Sequence, residues 1–283
     1  MLTRRSLLVA GLSFPVTARA AAAWRVFLVG VARDARGQGV PDRVIHAAFQ
    51  SLAPDPRVIA RDQAQPEFVL TWPEYRARML PASRIPAAQR AWRQSRSVLT
   101  TVAAVYGVDP RVILAIWGIE SNFGTNRGKF KVIRSLATLA YDGRRSAYFR
   151  GELIAALKIL AAGYATRSMM VGGWAGAMGQ PQFMPSVYLQ SAVDFDGDGK
   201  RDIWHSQPDT LASIAHYLAQ RGWQKNQPWV APMVVPAAPG ARLLQPKGSD
   251  ETYQIYPNFD VIKRYNPSDY YALAVGLLAN AIS

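Results

Sequence analysis

The chain has no cysteine, and that absence removes disulfides, thiolate metal centres, cysteine nucleophiles and lipid-modified cysteine anchors together. Histidine is nearly as scarce, with only His46, His205 and His216, well scattered in sequence. That scatter argues against a multi-histidine metal centre and against a Ser-His-Asp triad. Long apolar runs are missing after the N-terminus, so nothing later in the chain reads as a membrane span. Acids are also few, 19 against 33 basic residues, giving a formal charge of +14. What is present is globular in kind. The 283 residues, 49% hydrophobic and 18% charged, suit one large domain or two lobes and lie away from the disordered class.

Residues 1–20, MLTRRSLLVAGLSFPVTARA, have a basic start, an apolar stretch and a small-x-small end at Ala18-Arg19-Ala20. This is the layout of a secretory signal cleaved after Ala20, and Arg4-Arg5 leans toward the twin-arginine variant. The stretch from Leu7 to Phe14 is short for a span and is followed by Pro15. Export points to the periplasm and makes nucleic acid the weakest of the anionic partners that the charge would suit. The mature chain, 21–283, keeps about +11, dispersed rather than clustered.

Helix signals dominate the rest. Periodicity and breakers predict helices over Asp42–Leu52, from Pro73, over Pro86–Tyr106, Arg111–Ser121, Ser146–Tyr164, Thr210–Gln220 and Asp269–Ala281. Residues 54–56 read as a proline-punctuated connection, Phe68–Thr71 as a short extended patch, and 168–190 as a structured loop entering a helix at Pro185. Residues 228–258, with proline and short apolar runs, read as a small β insertion. The fold class is mainly α, with a minor β element late in the chain.

One helix carries the chemistry. Arg111–Glu120 reads RVILAIWGIE, apolar on every face and therefore buried, with a carboxylate at its end. Such a group must be paired, solvated by a cleft or protonated. On a cleft wall it can serve as an acid near neutral pH, while a pair with Arg127 or an outward-facing glutamate is the plainer alternative.

Four segments in order decide between these: Gly118-Ile119-Glu120-Ser121, Gly172-Gly173-Trp174-Ala175-Gly176-Ala177-Met178-Gly179, Gln182-Phe183-Met184-Pro185-Ser186 and Arg264-Tyr265-Asn266. Together they resemble the membrane-bound lytic murein transglycosylase B family, from about residue 40 to the end. The resemblance implies a lysozyme-like core with a helical lobe, acting on peptidoglycan glycan strands. It implies one acid/base, Glu120, where most glycosidases need two carboxylates. That residue would protonate the oxygen between N-acetylmuramic acid and N-acetylglucosamine. It would then take the proton of the muramic C6 hydroxyl, which closes a 1,6-anhydro ring without water. No catalytic cofactor is implied. A hydrolase would need a second carboxylate, for which Asp142 and Asp260 are the candidates, and a peptidoglycan-binding protein without catalysis would need none. Cell-wall synthesis proteins are the further class of partner.

The resemblance also implies sugar-binding roles for Tyr75, Gln182, Tyr217, Tyr265, Asn266 and Tyr271, aromatic faces and amides that suit apolar CH surfaces and dense hydroxyls. One position departs: Gly173 stands where the family usually has serine, a hydroxyl that either Ser121 or a water replaces, or whose loss reduces activity. Residues 194–202, DFDGDGKRD, place acids at positions 1, 3, 5 and 9 and glycine at 6 of a calcium-loop pattern. Asp194, Asp196, Asp198, Asp202 and the Lys200 carbonyl are the candidate ligands for structural Ca2+ or Na+. His205 falls at position 12 in place of the usual glutamate, with Asp209 as a later source of oxygen.

Overall fold

In chain order the helices α1 (Val16–Gly37), α2 (Asp42–Phe49), α3 (Pro56–Ala64), α4 (Trp72–Met79), α5 (Arg84–Tyr106) and α6 (Pro110–Ser121) lead into β1 (Phe130–Lys131). Then come α7 (Val132–Asp142), α8 (Ser146–Ala161), β2 (Val171–Gly172), α9 (Pro185–Ser191) and α10 (Gln207–Gln220). The strands β3 (Val230–Pro232), β4 (Arg242–Leu244) and β5 (Tyr253–Ile255) precede α11 (Pro257–Lys263) and α12 (Asp269–Asn280). The computed structural model describes residues 16–64, 70–233 and 238–282. The apolar stretch from Leu7 to Phe14 and part of the Phe68–Thr71 patch therefore lie outside the described residues.

The centre of the fold is α6. The Asp109 carboxylate accepts from the Arg111 N–H at 2.9 Å and Pro110 occupies the first turn, so the helix starts where its cap dictates. Every residue from Val112 to Ile119 is buried. Helices α5, α10 and α12 surround it, and α12 in turn packs on α4, α11 and β3. A second group, α7 with α8, gathers α1, α2, α3 and α9 around it. The insertion is an antiparallel sheet ordered β3-β5-β4, with Val230 opposite Ile255 and Leu244 opposite Tyr253.

Four helices lie where none was expected: α1, α3, α7 and α11. The start of α3 was legible, because the Asp55 carboxylate accepts from the Arg57 N–H (3.1 Å) as Asp109 does from Arg111. The proline at 56 opens a helix rather than a connection. Helix α7 starts at Val132 with no side-chain cap from Lys131 before it, and what holds its first N–H is the Met170 carbonyl, 3.0 Å away. Helix α8 stops at Ala161, three residues short of the expected end. Among the described residues no single helix is long and apolar enough to cross a membrane. The α5–α6 pair passes that test only together, and is bent by 115°.

Candidate active site

Glu120 stands one residue before the end of α6, and the chain reverses immediately beyond it. Asn122 and Phe123 both take left-handed backbone angles, φ 50° and 58°, a costly pair for residues with side chains. The turn is held from three directions. Phe123 folds back onto Gly118, where a Cβ would stand 2.6 Å from the ring. Arg84 donates to the Gly118 carbonyl (2.5 Å) and to the Asn122 side chain (3.1 Å). Gln180 accepts from the Trp117 indole (2.8 Å) and donates to the Trp204 carbonyl (3.1 Å), tying α6 to the glycine-rich loop.

The Glu120 side chain is fixed in turn by Tyr271, whose hydroxyl donates to its Oε1 at 2.7 Å. Tyr271 is 2% exposed. Burial first, and then the negative charge of Glu120, hold its hydroxyl well above the usual tyrosine range, so it remains a donor. Arg127, the alternative partner considered for the glutamate, donates to the Trp204 carbonyl. A cavity of about 210 Å3 opens over the carboxylate, and Tyr75, Arg78, Asn266 and Tyr271 are among its walls. No second carboxylate lines it among the described residues.

Behind these walls the aromatic rings form a chain. Tyr265 stacks on Tyr271 (6.3 Å between centroids, 12° between planes) and meets Tyr217 edge-on at 5.0 Å. Phe183 touches both Tyr217 and Tyr265 at 5.8 Å. The Tyr265 hydroxyl donates to the Pro181 carbonyl (2.6 Å) and that of Tyr217 to the Arg264 carbonyl. The structure thus brings Glu120, Tyr75, Asn266 and Tyr271 around one cavity. Tyr265 and Tyr217 join it through ring contacts, with their hydroxyls occupied by backbone. Gln182 donates to the carbonyls of Gly179 (2.8 Å) and Arg127 (3.3 Å) from a left-handed backbone, φ 50°.

The glycine-rich loop needs its glycines for close approach. A Cβ at Gly172 would stand 1.8 Å from the Ala177 carbonyl oxygen, and one at Gly176 2.3 Å from Leu136. Gly173 differs: a Cβ there would meet the Gln182 Oε1 at 3.2 Å, tight but not blocked. The space beside the missing hydroxyl is thus bordered by an amide oxygen. Ser121 does not stand in for that serine, since its hydroxyl donates to the Trp117 carbonyl (3.2 Å) and accepts from the Gly124 N–H (3.0 Å). Asp142 and Asp260, the candidates for a second carboxylate, do not line the cavity. Asp260 pairs with Arg242 at 2.5 Å, and Asp142 ends α7 beside Arg144 at 4.0 Å.

Several supporting residues carried no sequence signal. Trp72 stacks behind Tyr75 (6.4 Å, 23°), and Tyr270 lies 5.6 Å from both rings. The insertion secures this wall. Trp72 donates through its backbone N–H to the Lys247 carbonyl (3.2 Å) and through its indole to Glu251 (3.1 Å), while Arg76 pairs with Glu251 at 2.7 Å. Arg84 and Arg78 were equally silent, because a lone arginine in a basic chain stands out only once its partners are known.

The aspartate loop closes differently from a regular calcium loop. Carboxylate oxygens of Asp194, Asp196 and Asp209 lie within 4.8 Å of one another. Asp209 is buried and accepts from the N–H groups of Phe195 and Asp202, both at 2.8 Å. Burial, with Asp196 as a smaller cause, still raises its pKa. A buried carboxylate facing two others is the environment a hard cation relieves, so the oxygen donor set fits calcium or sodium. Asp198 and Asp202 are outside this compact group. The former pairs with Lys200 at 3.4 Å, and the latter accepts from the N–H groups of Trp204 and His205, both at 2.9 Å.

With this geometry in place, the comparisons are specific. Residues 23–247 and 236–280 match the family described as transglycosylase SLT domain, and the chain belongs to that family. It is 35% identical to membrane-bound lytic murein transglycosylase B of Escherichia coli K12, over 75% of this chain and 67% of that one. Among solved structures it resembles Pseudomonas aeruginosa SltB3 in complex with NAG-anhNAM-pentapeptide, with TM-score 0.85, 40% identity, and 90% of this chain and 78% of that one covered. It also resembles the Escherichia coli lytic transglycosylase Slt35 in complex with calcium, with TM-score 0.75, 28% identity, and 92% of each chain covered.

Proposed function

We propose that this protein is a lytic transglycosylase that cleaves the β-1,4 bond between N-acetylmuramic acid and N-acetylglucosamine in peptidoglycan, leaving 1,6-anhydro-muramic ends. The observation that carries the reading is the carboxylate of Glu120, held by Tyr271 in a cavity that no second carboxylate lines among the described residues. Paired-carboxylate glycosidases place their two groups about 5–9.5 Å apart across the bond. Here the substrate's own C6 hydroxyl takes the place of water. Glu120 gives its proton to the leaving N-acetylglucosamine oxygen as the C1–O bond breaks. The resulting carboxylate removes the C6 hydroxyl proton as that oxygen bonds to C1, which regenerates the acid. The Tyr271 hydroxyl supports the ionised stage of this cycle, when the glutamate carries charge. Tyr75 offers a ring face and Asn266 an amide to the sugars. Gln182, Tyr217 and Tyr265 hold the opposite side in shape.

Residues 1–20 act as an export signal cleaved after Ala20, which places the mature chain, 21–283, in the periplasm. Among the described side chains of α1 the first buried one is Trp24, beyond the proposed cut. The cation at Asp194, Asp196 and Asp209 is structural, bracing the loop that enters α10. Cell-wall synthesis proteins are natural partners for such an activity.

The test is mass analysis of fragments released from purified sacculi by the mature protein and by Glu120→Gln. Anhydro-muramic ends with the former, and turnover lower by about 10²–10⁴-fold with the latter, are expected. Reducing ends one water heavier would make it a hydrolase and sink the proposal. Binding without release by either protein would leave a non-catalytic peptidoglycan-binding role.

A further inference from the structure

A second recess, of about 650 Å3, opens beside the β1–β2 ladder, with Lys131, Arg134 and Arg167 among its lining residues together with Ser51 and Ser168. Its positive charge is not cancelled. Arg134 donates to the carbonyls of Ala53 and Pro54, both at 2.8 Å. Arg167 donates to the carbonyls of Ala47 (2.9 Å) and Gln50 (3.1 Å). These bonds orient the guanidinium groups without supplying a full opposing charge. The acid nearest Arg134 is Asp55, 3.8 Å away, and both its oxygens are already engaged by Arg57 at 3.0 and 2.7 Å. Lys131 is exposed and forms no ion pair among the described residues. Oriented arginines, a free ammonium and the Ser51 hydroxyl, beside a Ser168 hydroxyl bonded to that of Thr166 at 2.8 Å, are a receptor for carboxylates.

Its position says which carboxylates. Lys131 pairs with Val171, and two residues further along the chain, just past the end of β2, is Gly173, where a Cβ would meet the Gln182 side chain at 3.2 Å. At about 3.3 Å per residue the rim of the recess is roughly 7 Å of chain from Gly173, on the side of the cleft that the proposed function assigns to Gln182. A muramyl residue carries a peptide stem through its lactyl group. Four or five residues of stem reach at most about 14–18 Å and end in free carboxylates.

We propose that the Lys131–Arg134–Arg167 recess binds carboxylates of the peptide stem borne by the strand in the cleft, so that the protein distinguishes stem-bearing from stem-free glycan. This rests on the peptidoglycan reading above, and the experiment separates the two. Calorimetric binding and turnover are measured for stem-bearing glycan strands and for strands stripped of stems by an amidase, using wild type, Lys131→Glu and Arg167→Gln. Lys131→Glu reverses an exposed charge that no fold contact uses. Arg167→Gln gives a second reading at a more structural position. Wild type is expected to prefer stem-bearing strands, and Lys131→Glu to lower affinity and kcat/KM on them by roughly ten-fold, as for a lost charge-assisted contact. Stem-free strands should be handled equally by both proteins. Equal losses on both substrates, or none on stem-bearing strands, overturn the proposal. So does a Lys131→Glu protein that keeps its stem preference but releases phosphatidylglycerol vesicles, which would make the recess a membrane contact. If wild type cleaves neither substrate yet shows a stem preference in binding that Lys131→Glu abolishes, the recess stands and the catalytic reading falls.

Discussion

Replacing Tyr271 by phenylalanine removes one oxygen and tests how the glutamate is used. The hydroxyl donates to Glu120 Oε1 at 2.7 Å from a side chain 2% exposed. A hydrogen bond to an ionised group contributes about 1.5–3 kcal/mol. The carboxylate form of Glu120 should lose that stabilisation while the protonated form loses less. Turnover is therefore expected to fall by about 10–100-fold, because giving its proton to the leaving oxygen turns the glutamate into the carboxylate that this hydroxyl stabilises. The sign for pH follows from the same difference. Without its donor the carboxylate holds its proton to higher pH, so the alkaline limb of the kcat profile should move upward. Tyr265→Phe is the control, because that hydroxyl donates to the Pro181 carbonyl (2.6 Å) rather than to Glu120. The assay is release of anhydro-muropeptides from sacculi across pH. A kcat within two-fold of wild type and an unmoved alkaline limb, at full folding by circular dichroism, would refute the assigned role of Tyr271.

Two further outcomes follow from titrating groups and the aspartate loop. Tyr265 and Tyr271 are both pushed well above 10.0, chiefly by burial. Above pH 10 the unfolded chain therefore loses these protons while the native state keeps them. Stability should decline by about 1.4 kcal/mol per pH unit for each tyrosine. Urea midpoints between pH 9 and 11.5 measure this, with a shallower slope in Tyr271→Phe, and a flat profile would contradict the burial. Calcium at 100-fold over its dissociation constant should stabilise the native state by about 2.7 kcal/mol. Tm should then rise by roughly 5–10 °C. Asp196→Asn should abolish the response. It should also fade on acidification, because the raised pKa of Asp209 protonates that ligand early. An identical Tm with calcium and with chelator would remove the loop from the list of ion sites.

Much of the architecture was legible because its signals are local. Asp109-Pro110 announces α6, Gly107 ends α5, and the unbroken apolar run in α6 marks it as central. The same Asp-Pro signal at 55–56 was masked by the second proline nearby. Helix α7 has no cap of its own and is started by the carbonyl of Met170, a partner that no local pattern contains. The site divides in the same way. Glu120 and the glycine-rich loop were readable, since Gly172 and Gly176 must lack side chains where other atoms approach within 2.5 Å of a Cβ position. The Tyr271–Glu120 bond joins residues 151 positions apart. The Gly118 carbonyl held by Arg84 and the Tyr75 wall braced by Glu251 and Lys247 are likewise distant in sequence.

The sequence by itself determined the helical class, the lone acid at the end of a buried helix, the loop that needs glycine and the acidic run at 194–202. Each follows from composition or short-range spacing. Only the tertiary structure decided that Tyr271 holds the acid and that Asp209 completes the acidic group in place of His205. It also decided that Ser121 is spent on its own turn and that Lys131, Arg134 and Arg167 share a recess. Those outcomes depend on which surfaces meet once apolar side chains are buried. Hydrophobic burial is non-directional, so the meeting of distant polar groups is fixed by packing the whole core rather than by any segment of it.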